Sequence, residues 1–242
     1  MKLAVLIPWE SPFMFSAFCE SALNMRGSGI YDMRWFFGRG DNAASRHTDV
    51  LEQAIEWNAD IVCFLSADQV HPEDLFERLI GRVAEGRKAI SAVVPMRGYV
   101  EGQGSKPFQP MAWCLDKSDP LSSVTKFIPI DVNAGDVQPV DIIGCGVLMF
   151  PASVAKRMRK PWFEYINDPN KSNRSGGCDT KFVWRLNREA GVQVYVDTTI
   201  KVKHLNVFSI DETYQERFAD WMNGNGDPSI CRYKEKVNVE SV

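Results

Sequence analysis

The chain has 242 residues, with 28 Lys and Arg against 31 Asp and Glu for a formal net charge of −3. At 45% hydrophobic and 24% charged residues its composition is that of an ordinary globular protein, which excludes disordered, collagen-like and disulfide-stapled classes. The near-neutral balance gives no global reason to expect a polyanionic partner, although a local basic groove stays open.

The longest uncharged stretch of interest, residues 142–155, is broken by Gly144, Gly146 and Pro151 and falls short of the ~20 apolar residues that span a bilayer. Residues 3–9, between Lys2 and Glu10, are too short for a secretory peptide. A cytoplasmic protein without integral membrane association is expected. Cys19, Cys63, Cys114, Cys145, Cys178 and Cys231 show no Cys-x-x-Cys spacing, and several lie in apolar runs, which predicts buried reduced thiols.

In chain order, the unbroken apolar run of residues 3–7 reads as a central strand covered on both faces, ended by Pro8. A polar, Gly-rich stretch follows, then a short strand at residues 33–37. Val50, Leu51, Ala54, Ile55 and Trp57 recur at near-helical spacing within residues 48–59 and predict an amphipathic helix. Ile61–Leu65 is a third strand, apolar throughout. Pro72, Glu73 and Asp74 then open a helix, with Pro in the first turn and acids at the positive end of the macrodipole. Leu75, Leu79, Ile80 and Val83 form its buried face, and residues 89–94 make a fourth strand.

Such alternation predicts βαβ units and a parallel, doubly wound sheet. Residues 96–138 are rich in Gly, Pro, Ser and Lys and read as an excursion from the sheet, in the manner of a hairpin, rather than a separate domain. Residues 140–150 return to strand character, residues 152–159 form a short helix, and Cys178–Ala190 is an amphipathic helix closed by Gly191. Residues 192–196 and 200–202 are strands, and residues 210–222 are a last helix before a polar tail. No internal repeat is present.

In open parallel sheets ligands bind at the carboxyl ends of the strands. Three such ends carry unusual polar groups: Pro8-Trp9-Glu10, Ser66-Ala67-Asp68 and Lys203-His204. Each has a plain alternative. Asp68 suits a cap for the next helix, His204 a structural histidine, and Trp9 a packing residue. Together, an Asp and a His at the ends of strands of one sheet make a site for a hard cation, since carboxylate and imidazole suit Mn²⁺ or Mg²⁺.

At this point the sequence resembles the GT-A-fold glycosyltransferases of the family-2 kind. An apolar strand running into Leu65-Ser66-Ala67-Asp68-Gln69-Val70-His71-Pro72 is similar to the family's Asp-x-Asp segment. Asn42-Ala43-Ala44-Ser45-Arg46 resembles its polar helix start with an Arg, and residues 140–150 its Gly-x-Gly segment leading into a strand. Gly176-Gly177-Cys178-Asp179 resembles its acidic catalytic motif, and Lys201-Val202-Lys203-His204 the closing strand that delivers a metal-binding His. These segments span residues 3–205. Ser66 stands where the family carries its first Asp, leaving Asp68 as the carboxylate. His71 and Asp41 are further candidates near the site.

The resemblance implies a single α/β GT-A-like domain over residues 1–242, with a mostly parallel central sheet flanked by helices. Residues 1–95 would be its Rossmann-like, nucleotide-sugar-binding half, residues 96–205 its acceptor and catalytic half, and residues 206–242 a C-terminal helix and tail. It implies Mn²⁺ or Mg²⁺ held by Asp68 and His204, and a nucleotide-sugar donor, a UDP-sugar foremost. Pro8, Trp9, Glu10, Arg46, Ser66, Ala67, Gly144 and Gly146 would contact that donor. Asp179 would be the catalytic carboxylate, with helix capping as its plain alternative.

Compact viral enzymes that glycosylate hydroxymethylated bases in DNA are one branch of this resemblance. It makes DNA a candidate acceptor and a host cytoplasm the location. Arg157, Arg159, Lys160, Trp162, Lys171 and Arg174 would then form a phosphate-contacting rim, against the reading of an ordinary solvated face. A sugar-phosphate nucleotidyltransferase would share the layout, but residues 8–18 lack the basic, Gly-rich phosphate loop it needs. A non-catalytic nucleotide-sugar-binding module is the third reading, motivated by Ser66.

Overall fold

The computed structural model describes residues 1–9, 11, 13–25, 31–95, 110–115, 127–167 and 174–205. Glu10, Lys171, Cys231, the helix expected at residues 210–222 and much of the 96–138 excursion lie outside them.

In chain order the elements are β1 (Lys2–Ile7), α1 (Ser16–Asn24), β2 (Asp32–Phe37), α2 (Ala43–Glu56), β3 (Ile61–Leu65), β4 (Gln69–Val70), α3 (Leu75–Ala84) and β5 (Ala89–Val93). There follow β6 (Ala112–Leu115), β7 (Phe127–Pro129), β8 (Val137–Val140), β9 (Ile142–Ile143), β10 (Val147–Pro151) and α4 (Ala152–Ala155). The last are β11 (Ile166–Asn167), β12 (Arg174–Gly176), α5 (Cys178–Ala190), β13 (Val194–Lys201) and β14 (Lys203–His204).

The central sheet has seven strands in the order β2-β1-β3-β10-β5-β13-β8. It is mostly parallel, as expected. β1 pairs in parallel with β2 and β3, and β5 with β13, while β10 runs antiparallel between β3 and β5 and β8 runs antiparallel at the edge.

The continuous apolar runs of β1, β3 and β10 follow from burial on both faces. Ala4, Leu6, Val62, Phe64, Leu148 and Phe150 join one core layer with residues of α2, α4 and α5. Their neighbours Leu3, Val5, Ile7, Cys63, Leu65, Val147 and Met149 join the opposite layer, with Phe18 of α1 and Leu75, Phe76 and Leu79 of α3. An aromatic cluster anchors the first layer, with Phe163 stacked 4.2 Å from Phe182 and Phe64 and Phe150 edging onto them.

Six boundaries differ from the periodicity reading, two of them simple: α3 begins at Leu75 with Asp74 as its N-cap, so Pro72 and Glu73 precede the helix rather than forming its first turn, and α4 ends at Ala155 rather than at residue 159. α2 starts at Ala43, before its apolar repeat begins, because Asn42 and Ser45 exchange side-chain bonds with each other's backbone N–H as a capping box. The 140–150 run is divided among β8, β9 and β10, which belong to two different sheets, with Gly144 and Gly146 at the turn. The strands read at 192–196 and 200–202 are one strand, β13, whose register shifts between Asp197 and Lys201. α1 falls inside the stretch read as irregular; only Phe18 and Ser21 of its nine residues are buried, too few to set up a helical repeat. The hairpin character of the excursion holds in part, since β6 and β7 pair antiparallel and β6 also pairs with β9.

No disulfide joins the five described cysteines, and Cys63, Cys145 and Cys178 are buried. No helix among the described residues is long and apolar enough to cross a membrane.

Candidate functional site

At the carboxyl ends of β1 and β3 lies a cleft of about 360 Å³, within the ~300–1,000 Å³ of small-molecule sites. Pro8, Trp9, Ser11, Ala43, Arg46, His47, Ser66, Asp68, Cys145, Gly146 and Asp179 line it, drawn from both halves of the chain. Of the residues expected to meet a donor, Pro8, Trp9, Arg46, Ser66 and Gly146 are among them.

Ser66 is tied to the β9–β10 turn by its N–H, which donates to the Gly146 carbonyl at 2.9 Å. Trp9 both packs against the core and faces the cleft, its Nε1 donating to the Phe13 carbonyl at 2.8 Å. Arg46 is buried, with one guanidinium nitrogen donating to the Gly40 carbonyl at 2.9 Å.

Asp68 does not cap α3, whose N-cap is Asp74. It sits instead beside His204. β4 and β14 form a two-stranded ribbon that pairs Val70 with Lys203 and Gln69 with His204, and the Leu205 N–H donates to the Asp68 carbonyl at 2.7 Å. Asp68 Oδ2 is 3.4 Å from His204 Nε2, with Asp68 only 3% exposed.

The other ring nitrogen decides what that contact means. His204 Nδ1 lies 2.7 Å from the Pro95 carbonyl, which can only accept, so Nδ1 carries a proton. A neutral ring then aims the Nε2 lone pair at a carboxylate oxygen. Two lone pairs so placed call for a cation between them, either a proton on Nε2 or a metal ion. The donor set therefore fits a divalent cation, with the Pro95 carbonyl fixing the tautomer of the ring. Among the described residues no group of three or more His, Cys, Asp or Glu is arranged to hold a metal, so remaining ligands would have to come from the substrate and water.

Asp179 lies in the first turn of α5, whose N-cap is Gly177 rather than Asp179. Its Oδ2 accepts from the Cys145 N–H at 3.4 Å and its Oδ1 from the Thr180 N–H at 2.9 Å. Close approach requires the glycines around it. A Cβ on Gly177 would collide with Asp179 Oδ1, and one on Gly144 would come within 3.1 Å of Oδ2 and 2.7 Å of Met111 Cε.

Other candidates fall elsewhere. Ala67 is 1% exposed and belongs to the core under the loop, leaving only its backbone for a ligand. Gly144 stands behind Asp179 rather than on the lining, and Asp41 is exposed outside it. His71 is buried against the edge of Phe18, and burial lowers its pKa to about 4, so it is neutral. Of the basic rim, Lys160 pairs with Glu52 and lies over Trp162, Arg159 pairs with Glu189, and Trp162 is buried with its Nε1 bonded to Ala155. These three side chains are committed within the protein.

Four lining residues, Ser11, Ala43, His47 and Cys145, are not singled out as site residues by the sequence, and two of them carry side-chain chemistry of note. His47 follows Arg46 on α2; a single histidine on an amphipathic helix gives no motif. Cys145 lies between the two turn glycines, and burial, with Asp179 and Cys178 nearby, holds its thiol well above the ordinary range and so protonated.

No protein-family model matches the chain, and no curated protein does. Among solved structures it is similar to A197 from STIV, with a TM-score of 0.52 and 15% sequence identity over 87% of this chain and 97% of that one. The likeness is one of fold alone.

Proposed function

We propose that the chain is a GT-A-type glycosyltransferase that moves a sugar from a nucleotide-sugar donor, a UDP-sugar foremost, to an acceptor hydroxyl with Mn²⁺ or Mg²⁺. The observation that carries this reading is Asp68 Oδ2 facing His204 Nε2 at 3.4 Å, with Asp179 lining the same cleft as Asp68.

Asp68 and His204 would hold the cation, which when bound offsets the negative charge that develops on a departing diphosphate. Arg46 adds a fixed positive charge on the same lining. Trp9 offers a ring face for the base. Asp179, oriented by the Cys145 and Thr180 amides, takes the proton of the attacking hydroxyl as that oxygen bonds to the anomeric carbon. The anomeric C–O bond to the diphosphate breaks in the same step, and its electron pair leaves with the diphosphate.

The test is a panel of UDP-glucose, UDP-galactose, UDP-N-acetylglucosamine and GDP-mannose with Mn²⁺ or Mg²⁺, read by release of the nucleoside diphosphate. Cation-dependent release from one donor supports transfer chemistry. Binding of a donor without turnover, with or without an acceptor, would leave only a binding module, and no binding at all would remove the reading. A hydroxymethylated duplex DNA belongs in the panel of acceptors; transfer to it that fails at every salt concentration removes DNA from the proposal.

A further inference from the structure

His47 is the lining residue whose chemistry the scheme above leaves unused. Its ring is held on three sides. Phe64 stacks on it at 5.6 Å and Phe163 leans on it at 4.8 Å between ring centroids. Nδ1 lies 2.7 Å from the Ala43 carbonyl, which can only accept, so this nitrogen carries the proton. Nε2 is left with a lone pair and no hydrogen-bond partner among the described residues, and it is not sealed from solvent. The space His47 borders is the cleft, and the Asp179 carboxylate borders it too. Two acceptors facing one cavity call for a ligand that donates, and a sugar hydroxyl is such a donor.

We infer that His47 is a specificity-determining residue that accepts a hydroxyl of the transferred sugar through Nε2, beside Asp179. The inference rests on the transfer reading above and names the contact that selects the sugar. A carbon bearing hydrogen in place of that hydroxyl leaves Nε2 without a partner, so the site favours the hydroxylated sugar.

The charged groups facing His47 are Asp179 from α5 and Arg46 on its own helix; Phe64 and Phe163 on its faces carry no charge. Burial is the main influence and lowers its pKa, the Ala43 carbonyl and Asp179 oppose it, and Arg46 reinforces it. The ring is therefore neutral near neutral pH. Once protonated in acid, Nε2 becomes a donor and no longer accepts the hydroxyl of the sugar.

The experiment compares UDP with the UDP-sugar that the panel above shows to be turned over fastest. Affinities with Mn²⁺ are measured by calorimetry for wild type, H47L and H47Q. H47L is expected to weaken the UDP-sugar by about 3- to 10-fold, the loss of one neutral hydrogen bond, with UDP alone unchanged. H47Q, whose carboxamide oxygen accepts, regains part of the loss. H47L binding the UDP-sugar as wild type does, or losing UDP and UDP-sugar equally, overturns the inference.

A second measurement needs no variant. In wild type the preference for the UDP-sugar over UDP should hold through neutral pH and fall only in acid, below the ordinary imidazole value of about 6.5, as the ring gains its proton. A preference that stays flat from neutral pH into acid overturns the inference even where H47L does not fold. Wild type that binds none of the donors instead sinks the transfer reading, and the role of His47 falls with it.

Discussion

Replacing Asp68 by Asn keeps the shape of the side chain and removes its charge. The carboxylate is 3% exposed and faces His204 Nε2 at 3.4 Å, so it is half of a two-residue donor set. A contact to a charged group contributes about 1.5–3 kcal/mol, and ~1.4 kcal/mol is one decade of affinity, so D68N should weaken Mn²⁺ at least about tenfold. A ligand in excess stabilises the fold by RT ln(1 + [L]/Kd), so a tenfold weaker cation gives up about 1.4 kcal/mol. At roughly 2–4 °C per kcal/mol for a chain of this size, the Mn²⁺-dependent rise in Tm should shrink by about 3–6 °C.

The assay is thermal unfolding of wild type and D68N with UDP, in the presence and absence of Mn²⁺. Diphosphate release from the donor should fall by about tenfold or more in parallel. D68N that keeps the whole Mn²⁺-dependent rise in Tm would refute the assignment of Asp68 as a ligand.

D179N should lower transfer by about 10²–10⁴-fold while leaving UDP and Mn²⁺ binding as in wild type, because it removes the base and not the donor contacts; equal turnover in the two proteins would discard Asp179 as the base. F182A opens a hole in the fully buried Phe64–Phe163–Phe182 cluster and should destabilise the fold by about 3–5 kcal/mol, seen as a lower midpoint in urea. A midpoint unchanged in F182A would mean that the cluster does not anchor the first core layer.

The Arg185 guanidinium, hydrogen-bonded to Glu189, lowers the Glu189 pKa to about 2. Because the folded value lies below the unfolded one of ~4.3, this pairing contributes fully above about pH 4.3 and is lost as pH falls toward about 2. Tm measured across that window should fall more steeply for wild type than for E189Q, and parallel curves would contradict the pairing.

Much of this arrangement was legible in the sequence because it rests on burial. β1, β3 and β5 are buried at every interior position, and unbroken apolar runs announce that. The ends of those runs then pointed to Pro8, Ser66 and Asp68. α1 was hidden because it buries so little, and the 140–150 run concealed two sheets because the glycines that divide it look like punctuation in a single strand. Asp179 and Asp68 each had a capping alternative that only coordinates decide, since Gly177 and Asp74 hold those positions. His47 was illegible for a different reason. Its neighbours in space, Phe64, Phe163 and Asp179, come from three separate segments, so no local pattern marks it.

The ribbon of β4 with β14 makes the candidate cation site a witness to completed folding. Asp68 belongs to the loop after an early strand, whereas His204 arrives only when the last described strand docks on Gln69 and Val70 and its ring reaches Pro95. Contacts between segments so distant in sequence form late, since loop closure opposes them until the intervening sheet is built. A chain stalled before β13 seats beside β5 would hold Asp68 but not the pair. Cation affinity in this protein would then be a property of the finished sheet, and its first appearance during refolding would time the docking of the final strand.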